Sequence, residues 1–282
     1  MTSAVADKNL APTSLGDIKR IFAEFPSPNL EALTALSERM VKTPDAVLTR
    51  LQSIAEQATR WGTGENDMRR PRVAVYLAGY DGLQGDQAAL DRVQALADGT
   101  DPLNGLCQSV DSDLRLYELA PELPTNGLSE EEAAHAISYG MMAVEAGVDA
   151  LSIASFSKGA ETAAEKILST LKTTDDDSLD LLCQHGGRDL AAMVGVLMAA
   201  RLAKLPVVLE GVAALAAAYI VEAQQCNAAA HCFLAAELPS TADGLWSNDF
   251  ARIPAILPEM YYSEMHVAAP LALQFLRAAL KL

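Results

Sequence analysis

The segment ASFSKGAET, residues 154–162, brings hydroxyl, ammonium and carboxylate side chains into one loop between an apolar run and a helix-forming stretch. Such a loop offers backbone N–H groups and the positive end of a helix dipole to an anion. Lys158 would add a point charge that suits a phosphate, whereas Glu161 opposes one. The loop therefore predicts a phosphate site with Lys158 as its cation, the alternative being that Glu161 prevents phosphate from binding there. The other expected members are Ser155, Phe156, Ser157, Gly159 and Thr162.

The segment YSEMH, residues 262–266, pairs an acid with an imidazole two residues apart. An acid and an imidazole this close in sequence could work together in a proton transfer. The alternative interpretation is a solvated glutamate in the first turn of a helix, where acidic side chains are common.

Glycine-containing turns after apolar runs supply further candidates. Asp81 belongs to the turn AGYDG, and Gly186 and Gly187 break the chain before a helix in QHGGRD. His231 lies inside an apolar run, where it is either a hydrogen-bonded core residue or a neighbour of a bound phosphate. These residues are predicted to bind substrate or phosphate.

Apolar periodicity divides the chain near residue 71. Up to residue 70, apolar residues three and four apart predict short packed helices. From Arg72 onward, apolar runs alternate with helix formers, which predicts an α/β fold: a Rossmann-like parallel sheet flanked by helices. A last helix should join the first ones in a small helical bundle, which gives segments 1–70, 71–264 and 265–282. The predicted strands are RVAVYLAG, DLRLYEL, VDALSIAS, LPVVLEG and AAHCFLA.

Composition excludes several classes of protein. A formal net charge of −16 argues against nucleic acid and anionic membranes as partners. The four cysteines show no metal-ligand spacing and are expected to be reduced thiols. The first residues lack the basic and apolar regions of a signal peptide, so a cytoplasmic location is expected. Without a P-loop, a nucleophile elbow or a metal-ligand cluster, we expect no cofactor and no metal.

The run LLCQHGGRDLAAMVGVLMAARLAKLPVVLEGVAALAAA, residues 181–218, resembles a known family. It is similar to the Gly-Gly helix, strand and Asp-Gly turn of the nicotinate-nucleotide:dimethylbenzimidazole phosphoribosyltransferases, which make the lower nucleotide of cobalamin. The similarity extends from about Leu15 through VAVYLAGYDG to YYSEMHVAAPLALQFLRAA. It implies a homodimer that transfers phosphoribose from nicotinate mononucleotide to a flat benzimidazole-like base.

The resemblance also implies roles for single residues. Glu264 falls at the position of the general base, and Ser155 stands where the family has a glutamate near the ribose. Tyr80 and Asp81 stand where aspartate and histidine are expected. Two hypotheses follow: an active transferase, or a catalytically degenerate relative that binds a nucleotide or a partner subunit without turnover.

Overall fold

The computed structural model describes residues 12–40, 45–62, 67–81, 87–125, 127–237, 253–261 and 266–282. The helices are α1 (Leu15–Phe22), α2 (Leu30–Arg39), α3 (Ala46–Trp61), α4 (Gln87–Ala97), α5 (Pro102–Ser109), α6 (Glu130–Met141), α7 (Ala160–Leu171), α8 (Ser178–His185), α9 (Arg188–Ala203), α10 (Gly211–Gln224) and α11 (Ala268–Ala279). The strands are β1 (Pro71–Ala78), β2 (Asp113–Leu119), β3 (Ala150–Ser155), β4 (Val207–Leu209), β5 (Cys232–Glu237) and β6 (Ala255–Tyr261).

The six strands form one parallel sheet in the order β2-β1-β3-β4-β5-β6. All eight residues of β1 are buried, as expected for a strand covered by helices on both faces. The predicted parallel α/β fold is therefore confirmed. After β1 the chain adds β2 on one side, and β3 then continues on the other side. This reversal of strand order opens a crevice beyond the carboxyl ends of β1 and β3.

The sequence analysis did not predict β6. This strand pairs with β5 at the edge of the sheet, and its register shifts at Ala236 and Glu237. It also contains Pro258, which has no N–H to donate to a neighbouring strand. An edge strand tolerates both features, but together they remove the apolar pattern by which the first five strands were recognised.

Helix α6 begins with a capping box. The Ser129 hydroxyl accepts the N–H of Glu132, and the Glu132 carboxylate accepts the N–H of Ser129. The helix ends at Met141.

Helices α6 and α9 cross with their backbones in direct contact. A Cβ atom on Gly140 would lie 1.8 Å from the carbonyl oxygen of Ala192, and one on Gly195 would lie 1.9 Å from the carbonyl oxygen of Ile137. Only glycine fits at these two positions. This crossing fixes helix α9, whose first turn faces the crevice.

The terminal helices lie in two places. Helix α3 packs against α2 and α11, and α11 also covers β3, β4, β5 and β6 on one face of the sheet. Helix α1 instead packs against α6. The exact division into the three predicted segments stays a prediction. In the described part of the chain, no helix is long and apolar enough to cross a membrane.

Candidate functional site

A buried carboxylate joins the ends of β1 and β3. Asp189, in the first turn of α9, accepts a hydrogen bond from the Tyr80 hydroxyl at 2.7 Å through Oδ1. Its Oδ2 accepts one from the Ser155 hydroxyl at 2.5 Å. Tyr80 follows β1 by two residues and Ser155 ends β3, so this network lies at the reversal of strand order. Asp189 was not among the predicted site residues.

Serine side chains continue the network into the backbone. The Ser155 hydroxyl accepts the N–H of Ser157 at 3.0 Å, and the Ser157 hydroxyl accepts the N–H of Ala78 at 2.8 Å. Ser157 is buried, so its side chain holds the β3 loop against β1. The loop conformation is thus set by bonds to β1 and α9.

Gly187 makes room for Tyr80. A Cβ atom at this position would lie 2.5 Å from the Tyr80 ring, so a larger residue would displace the phenol from Asp189. Burial raises the pKa of Tyr80 well above its ordinary value, and the nearby Asp189 charge raises it further. Tyr80 therefore stays a neutral hydrogen-bond donor near neutral pH. Gly186, which precedes Gly187, is the C-cap residue of α8.

Beside this network lies a cavity of about 400 Å³. Gly159 precedes α7 and has no side chain to cap it, and Gly159, Thr162 and Ala163 line the cavity, so the amino-terminal end of this helix faces it. Thr162 and Lys166, four residues apart on α7, supply a hydroxyl and an ammonium group. The full lining is Tyr80, Asp81, Thr125, Gly159, Thr162, Ala163, Lys166 and His185. This combination is suited to a phosphate.

The cation at this cavity differs from the expected one. Both lysine side chains are exposed, but Lys166 lines the cavity and Lys158 does not. Glu161, which was expected to repel a phosphate, is also exposed and absent from the lining. The spacing of Thr162 and Lys166 on one helix face was the signal that could have identified Lys166.

Phe156 takes part in a stack of planar groups on the other side of the β3 loop. Its ring lies against the His266 ring, with centroids 4.8 Å apart and planes 18° apart. The guanidinium carbon of Arg92 lies 4.0 Å from the centre of the Phe156 ring. Burial, together with the Arg92 charge, lowers the pKa of His266 to about 3, so this imidazole is neutral.

Glu210 is a second buried carboxylate at the carboxyl edge. It follows β4, is 2% exposed, and accepts the N–H groups of Ala268 at 3.2 Å and Ala269 at 2.8 Å. Burial raises its pKa to about 7, even though the two N–H groups favour the charged form. Glu210 thus fixes the first turn of α11, next to His266.

Two predicted site residues are not part of this arrangement. His231 immediately precedes β5, so it lies at the amino-terminal edge of the sheet, opposite the cavity, and it is buried. The apolar residues around His231 in the sequence predict a strand, but they do not show at which edge of the sheet this histidine lies. Glu264 lies outside the described residues, two positions before His266 in the sequence. Within the described ranges, no three His, Cys, Asp or Glu side chains are grouped to hold a metal ion.

A doubly wound parallel sheet with polar residues gathered at its reversal of strand order defines an α/β protein with a ligand site at the carboxyl edge of its sheet. Comparison with known families refines this class, because residues 169–282 match a family described as Phosphoribosyltransferase. A nicotinate-nucleotide–dimethylbenzimidazole phosphoribosyltransferase from Sinorhizobium sp is 30% identical, over 77% of this chain and 79% of the relative. The chain therefore belongs to the nicotinate-nucleotide–dimethylbenzimidazole phosphoribosyltransferase family.

Other relatives agree. The protein of the same name from Rhizobium etli (strain CIAT 652) is 28% identical over 77% of this chain and 79% of its own. The crystal structure of the Thermus thermophilus protein of that name superposes with a TM-score of 0.69 at 18% identity, covering 93% of this chain and 94% of the other. At this identity, the structural comparison supports the fold.

Proposed function

We propose that this protein transfers phosphoribose from nicotinate mononucleotide to a ring nitrogen of a benzimidazole-like base, a step in making the lower-ligand nucleotide of cobalamin. The observation that carries this proposal is the cavity beside the Tyr80–Asp189–Ser155 network. Its position at the reversal of strand order is where α/β proteins bind nucleotides. Family membership supplies the reaction.

The phosphate end of the nucleotide is assigned to the first turn of α7. Thr162 and the N–H groups after Gly159 donate hydrogen bonds there, and Lys166 supplies the positive charge. Asp81 and His185 line the same cavity near Tyr80. Asp189 acts as a positioning residue, because it fixes Tyr80 and Ser155 without itself being exposed.

In the reaction, the nitrogen of the base attacks the anomeric carbon as the bond from that carbon to nicotinate breaks. The configuration inverts, and the leaving nicotinate keeps the bonding electron pair. Glu264 is the proposed general base, which takes the proton released from the attacking nitrogen. Holding both substrates at one edge replaces a collision of two free molecules by a reaction in a bound pair.

We further propose that the protein is a cytoplasmic homodimer. Family membership motivates both the dimer and the location. Light scattering at micromolar concentration should give twice the 29.9 kDa mass of the chain. A mass equal to one chain would refute the dimer and leave the activity untouched.

The assignment of Lys166 gives a direct prediction. Replacing Lys166 by alanine should weaken the binding of nicotinate mononucleotide by about 1–2 kcal/mol, the size of a charge-assisted hydrogen bond. Calorimetric titration measures the effect. Lys172→Ala is the matched control, because Lys172 follows the opposite end of the same helix. Lys158→Ala tests the other candidate cation. A larger loss of affinity in this variant than in Lys166→Ala would mean that the phosphate binds outside the cavity.

The activity is tested by chromatographic detection of nicotinate released from nicotinate mononucleotide in the presence of dimethylbenzimidazole and other flat bases. Release that depends on the base, and that Glu264→Gln abolishes while nucleotide binding persists, is the expected result. If the nucleotide raises the melting temperature but no base elicits release, the protein binds without turnover and the proposed function is wrong.

A further inference from the structure

His266 connects two parts of the carboxyl edge of the sheet. Its ring stacks on Phe156, with centroids 4.8 Å apart, and it is hydrogen-bonded to the backbone of Ser155. Glu264, the proposed general base, precedes His266 by two positions in the sequence. Two residues of extended chain span at most about 7 Å, so the place of His266 limits where the backbone of Glu264 can lie.

The backbone of His266 is in an unusual conformation. Its φ is 51°, in the left-handed region that residues with a side chain rarely adopt. Such a conformation costs free energy and persists where surrounding contacts stabilise it. The buried ring supplies these contacts through Phe156 and Ser155, since it is only 3% exposed. The side chain of His266 therefore fixes the direction of the chain just before α11.

The elements on either side of His266 are held by other contacts. Ser155 ends β3, where it pairs with β1, and its hydroxyl donates to Asp189. On the other side, Glu210 accepts two N–H groups from the first turn of α11. Removing the ring of His266 would therefore leave β3 and α11 in place. Its effect would fall on the chain that precedes α11, which is where Glu264 lies in the sequence.

We propose that His266 is a positioning residue, which ties the chain beside Glu264 to the end of β3 and so holds the general base at the reacting atoms. This inference rests on the proposed function for the role of Glu264. A general base must lie within hydrogen-bond reach of the proton that it takes, and a misplacement of about 1 Å lowers a rate about 100-fold. His266 does not line the cavity assigned to the nucleotide, so its contribution is separate from nucleotide binding.

The test is the rate of nicotinate release by the full chain and by His266→Ala, at a saturating concentration of dimethylbenzimidazole. The kcat should fall about 10- to 100-fold, whereas the KM for nicotinate mononucleotide should be unchanged. Calorimetric titration with the nucleotide counts the folded sites, and kcat is expressed per site, so a loss of folded protein cannot produce this result. His266→Gln keeps a donor for the backbone of Ser155 and should recover part of the lost kcat.

His231→Gln is the matched control, because His231 is also a buried histidine, 1% exposed, but lies at the opposite edge of the sheet. It should lower the melting temperature and leave kcat per site unchanged. The inference is overturned by an unchanged kcat in His266→Ala, by a loss due wholly to KM, by an equal loss in the control, or by no recovery in His266→Gln. If the unmodified protein releases no nicotinate with any base, the proposed function fails and the inference fails with it. If it turns over and His266→Ala does so equally fast, only the inference fails.

Discussion

Arg72 at one edge of the sheet, and Asp189 and Glu210 at the other, are stabilised in different ways. At the amino-terminal edge, the Arg72 guanidinium is 1% exposed and pairs with Asp113 at 2.9 Å and Glu145 at 3.0 Å. At the carboxyl-terminal edge, Asp189 and Glu210 are held by hydroxyl and N–H donors, and in the described part of the chain neither forms an ion pair. Arg72 is thus stabilised by opposite charges, whereas Asp189 and Glu210 are stabilised by neutral hydrogen-bond donors.

The largest effect is expected at Arg72. Arg72→Met removes the two ion pairs and the hydrogen bond to the Ala143 carbonyl, so stability should fall by about 3–4 kcal/mol. Denaturation in urea measures the loss. Arg115→Met is the control, since this exposed arginine also contacts Asp113 and should cost less than about 1 kcal/mol. Equal losses in the two variants would mean that burial of Arg72 is irrelevant.

At the same edge, His231 should make the protein sensitive to acid. Burial, followed by the Arg201 charge, lowers its pKa from 6.5 to about 3. The resulting stability is present above pH 6.5 and is lost as the pH falls toward 3. At pH 4.5 this loss amounts to about 2–3 kcal/mol. The stability of His231→Gln relative to that of the unmodified protein should therefore rise by about 2–3 kcal/mol from pH 7 to pH 4.5. Parallel stability curves for the two proteins would contradict the prediction.

Glu210 should give the opposite dependence on pH. Because its pKa is raised from 4.5 to about 7, its contribution to stability is full below pH 4.5 and is lost as the pH rises through 7. The stability of Glu210→Gln relative to the unmodified protein should rise by about 2 kcal/mol from pH 5 to pH 8. The absolute level will be lower, because an amide cannot accept both N–H groups of α11 equally well. A pH-independent difference would show that Glu210 is charged throughout.

The sequence predicted the parts of the fold that have a local cause. Strands β1, β3, β4 and β5 carry apolar runs because they are buried inside the sheet, and the edge strand β2 alternates apolar and polar residues. Strand β6 escaped prediction because an edge strand with a proline needs no such run. Its position in the sheet is set by pairing with β5, and the residues of β6 alone do not predict that pairing.

The candidate site divides in the same way. Gly159, Thr162 and Asp81 were predicted as site residues because parallel strands end at a common edge, and all three line the cavity. Asp189 was missed because its partners Tyr80 and Ser155 are distant in sequence. Asp189 and Tyr80 are 109 positions apart in the sequence, and neither their residue types nor their spacing predicts the contact.

The backbone contact between α6 and α9 has a consequence for motion. Helices that slide past each other do so over a layer of side chains, and Gly140 and Gly195 leave no such layer between these two. Helix α9 is therefore expected to stay fixed during turnover and to keep Asp189 in place as a reference point. A time-resolved measurement should therefore show substrate entering and leaving without a shear of α9 against α6.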